Sequence, residues 1–315
     1  MKGKIDIHAH YFPPAYNQML ERRGMKLLDG GFPKPDWNEE IQLMSMEKLE
    51  ISYSVLSISS PHLHMGDAKE AIDVARASNE YGAGFMKKYP DKIGVLASLP
   101  LPEIDAAVEE VNYCKHKLQV TGFTLQTNSC GVYLGDSRLD PVMDVLNQEK
   151  ALVLIHPTEP GVIPHRVNEQ LPYPMMEFFF DTCRAVMNLI LTGTLNKYPD
   201  IRFIIPHAGA YLPIISDRVA PMSRILCPDG SVDIAKCLTG LYYDLGGTVM
   251  PKQYGNLCQM TTKDHILYGS DTPFTSLPLG CKLKEAMDQG LTEEMKELVY
   301  RENPKKLLAE TLQKS

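Results

Sequence analysis

Eight short apolar runs, alternating with longer amphipathic stretches, constrain the fold of this chain more than any other feature. The runs cover residues 4–8, 54–59, 93–98, 122–126, 152–156, 202–206, 241–245 and 265–268. Between them, apolar residues recur at helical spacing over 69–89, 105–117, 140–149, 181–197 and 210–224. Strands alternating with helices make βα units, whose strands run parallel. Eight such units predict an α/β fold of the (β/α)8 TIM-barrel type. An open doubly wound sheet is the competing architecture. It is disfavoured at its first turn, where His8-Ala9-His10 stands in place of a glycine-rich phosphate loop. At 315 residues the chain has the length of one barrel with excursions, so 1–315 is read as a single domain.

Two stretches break the rhythm. Residues 11–38, rich in Pro, Gly and aromatics, and 157–174, with five prolines, are too long for plain βα loops after strands one and five. Both are expected to rise over the barrel mouth as lids or specificity loops. Beyond Asp271, helical patterns at 292–301 and 304–312 are expected to pack against the barrel's outside.

Composition narrows the partners. A net charge of −7 argues against nonspecific nucleic-acid binding, which needs Lys and Arg to neutralise phosphates. Seven cysteines with no CxxC pair give neither a disulfide framework nor a zinc knuckle, which points to a reducing cytoplasm. No apolar run reaches bilayer length and no signal-peptide pattern opens the chain, so a cytoplasmic, non-membrane protein is expected.

The runs also end in a recurring chemistry. Side chains at i and i+2 of a strand share a face, so His8 and His10 point together while Ala9 points away. Two imidazoles on one face grip zinc or a similar divalent ion. His156 ends an apolar run, where an unpartnered imidazole costs on the order of 1–3 kcal/mol. A metal would satisfy it; a hydrogen bond to a carbonyl is the plainer alternative. Asp271 follows the last run and reads as a metal ligand able to exchange protons, against the alternative of a helix N-cap. His207 either completes the shell or stands a step back as general acid or base, the role favoured here. Three or four ligands with an open position describe a catalytic site. Residues 122–126 contain no Lys that a second, bridged ion would need, so one divalent ion is expected, Zn²⁺ first and Mn²⁺ as the alternative. His62 and His64, in the loop after strand two, read as solvated or substrate-adjacent.

With these residues in place, the chain resembles the amidohydrolase superfamily, and within it the branch of metal-dependent decarboxylases. That branch holds the aminocarboxymuconate semialdehyde, γ-resorcylate, 5-carboxyvanillate and 6-methylsalicylate decarboxylases. The marks are HxH at His8 and His10, the strand-five His156, His207-Ala208-Gly209 and Gly269-Ser270-Asp271-Thr272-Pro273. The resemblance implies that His8, His10, His156 and Asp271 hold the metal and that His207 is the catalytic histidine behind it. Arg218, eleven residues after His207, falls where relatives place an arginine that reaches a substrate carboxylate across a dimer interface; a solvated helix Arg is the other reading. Phe178-Phe179-Phe180 resembles the segment leading into helix five of the aromatic-acid members. Phe180 and Phe274 are therefore candidate substrate contacts, with core packing as the alternative. Residues 41–46 lack the arginines that grip a second carboxylate in the muconate enzyme, which favours a monocarboxylate.

The resemblance thus implies a carbon–carbon lyase: nonoxidative decarboxylation of a small aromatic or unsaturated carboxylic acid, with a homodimer as the assembly. The alternative keeps the site and changes the reaction to hydrolysis of a lactone or amide by metal-bound hydroxide.

Overall fold

Eight parallel strands follow one another around a single sheet in chain order. They are β1 Lys4–His10, β2 Ile51–Ser57, β3 Ile93–Ser98, β4 Gly122–Gln126, β5 Leu152–His156, β6 Arg202–Ile205, β7 Tyr242–Asp244 and β8 Ile266–Leu267. This is a computed structural model, and it describes residues 3–312; residues 1–2 and 313–315 of the expected domain lie outside the described residues. The seam between β8 and β1 is bridged by Ile7 N–H donating to Tyr268 O at 3.0 Å and His10 N–H to Thr272 O at 2.7 Å. The (β/α)8 expectation holds.

Alternation along the strands sorts the apolar residues into two layers. Ile5, Ile7, Val55, Leu96, Leu154, Ile204 and Leu267 form one buried cluster inside the barrel. Leu56, Val95, Phe123, Val153, Ile155, Phe203 and Ile205 belong to the larger cluster beneath the helices. Leu307 and Leu308, from the helix Asn303–Leu312, join the interior cluster with Tyr53 and Tyr242. That helix therefore closes one end of the barrel instead of lying along its flank as expected. Leu154→Ala in the interior should destabilise the fold by about 2–5 kcal/mol, lowering the denaturant midpoint without changing the slope.

The register of β1 shifts between Asp6 and Ala9, a bulge beside the mouth. An extra residue there resets the alternation, so Ile5 and Ile7 and then His8 and His10 all turn inward while Ala9 joins the outer layer.

Helix boundaries follow local chemistry. Asn38 accepts the Ile41 N–H and Asp67 the Glu70 N–H, capping Glu39–Leu49 and Ala68–Lys88. The first excursion differs from its reading as a loop. It contains the helix Pro14–Arg22, whose Tyr16, Met19 and Leu20 are buried. Pro13-Pro14 look like breakers, but a proline in the first turn of a helix sacrifices no hydrogen bond. The helix expected from residue 181 starts earlier, as Glu177–Leu191, and gives way at Gly193, where φ is 73°.

Candidate metal centre

The mouth of the barrel gathers His8 and His10 from β1, His156 from the end of β5, His207 after β6 and Asp271 after β8. Ligand atoms of His8, His10 and His156 lie within 4.8 Å of one another, as do those of His8, His207 and Asp271. His8, His10 and His156 are fully buried or nearly so.

Each buried imidazole has one nitrogen already committed. His8 donates from Nδ1 to Asp244 Oδ2 at 2.9 Å, and His156 from Nδ1 to the Pro157 carbonyl at 2.7 Å. His10 Nδ1 faces the Ser57 carbonyl at 3.2 Å and its Oγ at 3.1 Å. With Nδ1 as the donor in all three, Nε2 is the atom turned to the cluster, and its lone pair is available to an ion once the ring is neutral. The Nε2 atoms of His8 and His10 face each other at 3.0 Å. Two lone pairs that close repel unless a cation lies between them, so this donor set fits a divalent ion. Asp271 Oδ1 completes the cluster, 3.2 Å from His10 Nε2 and 3.6 Å from His8 Nε2. Its Oδ2 lies 3.8 Å from His207 Nε2.

The electrostatics carry the same signature. Burial holds His156 well below its usual value, and the charges of His10, His8 and His207 add to the effect. Burial also lowers His10, against the hydrogen bond to Asp271. Burial pulls His8 down too, but the Asp244 carboxylate outweighs it and lifts His8 to about 9. Burial alone would raise Asp271; the imidazole of His10 at 3.2 Å, with the charges of His8 and His207, holds it well below the carboxylate range.

Asp244 was not among the residues singled out from the sequence, yet it organises three parts of the site. Besides His8 it accepts the His207 N–H at 3.3 Å and the Gly246 N–H at 2.8 Å through Oδ1. His207 and Asp271 have positive φ, 55° and 56°, a conformation disfavoured for residues with a Cβ. The contacts to Asp244 hold the first, and Asp271 N–H donating to His8 O at 2.8 Å holds the second. Gly269 leaves room for all of this, because a Cβ there would meet His8 Cβ at 2.8 Å and Asp244 Oδ1 at 3.0 Å. Asp6 was also missed. It braces the β8 end by accepting from Ser270 N at 3.0 Å and Ser270 Oγ at 2.6 Å.

A cavity of about 340 Å³ opens beside the histidines, lined by Phe32, Phe178, Phe179, Phe274, His207 and Asp271 among others. Phe179 stacks on His207 with centroids 5.7 Å apart, and Phe274 meets His10 edge-on at 5.4 Å. Phe274 thus lines the cavity. Phe180 does not: it is 39 % exposed, packs on Tyr211, and is absent from the lining, where Phe178 and Phe179 stand instead. A helix that begins at Glu177 turns each residue by about 100° from the last, which carries Phe180 off the mouth-facing side. Arg218 is exposed on the helix Leu212–Val219 and likewise does not line the cavity. The second excursion contributes Pro174 and Met175 to the rim, and the first contributes Asp29 and Phe32.

Comparison with known proteins places this site in a family. The amidohydrolase family profile matches residues 5–309. The chain belongs to the amidohydrolase family. It is 34% identical over 293 residues to the decarboxylase macB of Penicillium terrestre, covering 86% of this chain and 84% of that one. It is 31% identical to 6-methylsalicylic acid decarboxylase of Penicillium expansum, covering 86% and 85%. Among solved structures, one described as an amidohydrolase II superposes with a TM-score of 0.93 at 38% identity, over 97% of this chain and 99% of that chain. The fold of 2,6-dihydroxybenzoate decarboxylase also superposes, with a TM-score of 0.83 at 20% identity over 98% and 99%. These relatives put this amidohydrolase in the metal-dependent decarboxylase branch. Among the described residues no helix is long and apolar enough to cross a membrane.

Proposed function

We propose that this amidohydrolase releases CO₂ from a small aromatic or unsaturated carboxylic acid of the substituted-salicylate kind. His8, His10, His156 and Asp271 would hold one divalent ion. The observation that carries the reading is the pairing of the histidine cluster with a ring-lined cavity. The cavity is walled by four phenylalanines, and among the described residues no Lys or Arg lines it. A carboxylate entering it therefore finds its counter-charge at the histidine cluster. The relatives support the choice of reaction, since those at 30–34% identity are decarboxylases, two of them acting on 6-methylsalicylic acid.

A divalent ion bound there would supply Lewis acidity and a template for the carboxylate and a neighbouring hydroxyl. Zn²⁺ is the first candidate and Mn²⁺ the alternative; manganese is bound in the structure of a 5-carboxyvanillate decarboxylase of the same fold. The chain's own residues do the rest. Phe179 and Phe274 fix the plane of the ring. His207 and Asp271, facing each other at 3.8 Å, deliver a proton to the carbon that loses the carboxylate.

Metal-loaded protein offered a panel of substituted salicylates, a dicarboxylate muconate analogue and a lactone should release CO₂ from the salicylates and leave the other two unchanged. Turnover of the lactone with no CO₂ from any acid would overturn the reading in favour of hydrolysis.

The surface around Arg218 supports a homodimer as the assembly. Ile214, Ile225 and Leu226 are 61 %, 69 % and 57 % exposed on the same segment, an apolar face suited to a second copy of the chain. In such a homodimer Arg218 of one copy would reach the other's cavity mouth. Arg218→Ala is expected to raise KM about tenfold or more with a smaller change in kcat, and light scattering should give a dimer mass. A monomer with KM unaffected by the substitution would rule this out.

A further inference from the structure

The loops after β2, β3 and β4 bring together three side chains that the metal centre leaves unused. Cys130 Sγ lies 3.3 Å from His64 Nδ1, and His64 Nε2 lies 3.1 Å from Glu103 Oε1. The Gly66 N–H also approaches His64 Nδ1, at 3.3 Å. A backbone donor on Nδ1 marks that nitrogen as the acceptor, so Nε2 carries the hydrogen and donates it to Glu103. Thiol, imidazole and carboxylate are thereby aligned in the order in which a proton would pass away from sulfur.

The placement of the cysteine is unusual in its own right. Asn128–Ser129 pairs with Val132–Tyr133 as a two-stranded ribbon, and Cys130 and Gly131 form its two-residue turn with φ of 51° and 79°. Turns with both central residues left-handed take Asn, Asp or Gly at the first position. A Cβ residue there costs on the order of 1–2 kcal/mol. The turn is pinned by Gly131 N–H donating to Asn128 Oδ1 at 3.1 Å, while Asn128 Nδ2 donates to the Glu159 carbonyl at 3.0 Å. The strained tip holds the thiol at the surface against His64, whose side chain is only 9 % exposed.

We propose that Cys130, His64 and Glu103 form a nucleophilic thiol site, separate from the metal centre, whose ligands are small soft electrophiles that modify Cys130 covalently. His64 Nδ1 takes the thiol proton, Glu103 accepts the hydrogen bond from Nε2, and the sulfur lone pair forms the new S–C bond as the leaving group departs with its electron pair. The proton on His64 then passes to solvent.

The charges around the site favour transfer to His64 over loss to water. Partial burial and the Glu103 charge both raise the Cys130 thiol, so it does not ionise alone. Transfer within the pair creates a thiolate beside an imidazolium, and Glu103 is bonded to the imidazolium. His62 accepts the His64 backbone N–H; burial, with the charge of His64, holds His62 down to about 4, so it stays neutral above that and adds no charge. Arg23, which reaches the Met65 carbonyl, is already paired with Glu70. Elsewhere Cys114 and Cys183 are buried, with thiols raised by burial. Cys258 is exposed beside Tyr254 and provides an internal reference.

The test is site-resolved alkylation of the full, metal-loaded chain with iodoacetamide, read by peptide mass spectrometry from about pH 5 to about pH 9. Near pH 6.5 Cys130 should react about tenfold faster than Cys258, the two rates converging towards the alkaline end. His64→Gln should bring Cys130 to the rate of Cys258, and Glu103→Gln should slow it several-fold. Should His64→Gln fail to fold, Glu103→Gln at its more exposed position decides the matter, with the unchanged rate of Cys258 as the folding control. A Cys130 rate that tracks Cys258 across the pH range, or that survives both substitutions unchanged, would overturn the proposal.

Discussion

Asp271→Asn is expected to lower kcat for decarboxylation by about 10²–10⁴-fold while the protein remains folded. The carboxylate has two faces with two jobs. Oδ1 points at His10 and His8 Nε2, 3.2 and 3.6 Å away, on the side where an ion would sit. Oδ2 points at His207 Nε2 at 3.8 Å, on the side of the cavity. An amide keeps the shape but neither takes nor gives a proton at the reacting carbon. His207→Gln removes the other half of the relay and should cost a similar factor, and the double variant little more than either, because groups that act as a unit are not additive. CO₂ release should be measured with bound metal quantified in the same samples, so that lost proton delivery is told apart from lost metal. An Asp271→Asn enzyme with full metal content and kcat within about threefold of the parent would remove Asp271 from the reaction.

The barrel and its mouth were legible because each rests on local pattern. Apolar runs such as 93–98, 122–126 and 152–156 match β3, β4 and β5 residue for residue, since a strand buried on both faces reads as an uninterrupted run. His8, His10, His156 and Asp271 stand out as polar groups closing such runs, and the structure brings the three histidines within reach of one another and Asp271 within reach of His8 and His10. Asp244 sends the same signal at the end of Tyr242–Asp244, but the run 241–245 continues through Leu245, which places the Asp inside a strand pattern and hides it. The bulge at Asp6–Ala9 leaves no mark in composition; it is set by pairing with β2 across the sheet. Phe180 lies off the mouth-facing side because the helix begins at Glu177 and not at residue 181, and four residues in a helix start shift which residues face inward. Pro13-Pro14 show the opposite trap, a breaker signal that opens a helix.

Asp244→Asn should weaken divalent-metal binding by about 10–100-fold at alkaline pH and also flatten its pH dependence. Two effects of one carboxylate are involved, and they separate by sign. Asp244 accepts the Nδ1–H of His8 at 2.9 Å, which fixes the tautomer that aims Nε2 at the cluster and makes that nitrogen more basic. The same carboxylate lifts His8 to about 9 against the pull of burial, so without an ion His8 holds a proton below that pH. An incoming ion must displace that proton. Apparent affinity should therefore rise about tenfold per pH unit until it levels near pH 9, with close to one proton released per ion at neutral pH. With Asn in place of Asp, the strongest opposition to the burial that lowers His8 is gone, and only the charges of Asp271 and Asp6 remain. The imidazole is then neutral at lower pH and the plateau arrives earlier, at a weaker limiting affinity. The deficit against the parent is thus largest near pH 9 and shrinks towards neutrality. Competition with a chromogenic chelator across that range measures both quantities. Unchanged affinity at pH 9, or a parental slope in the variant, would show that His8 is aligned by something other than Asp244.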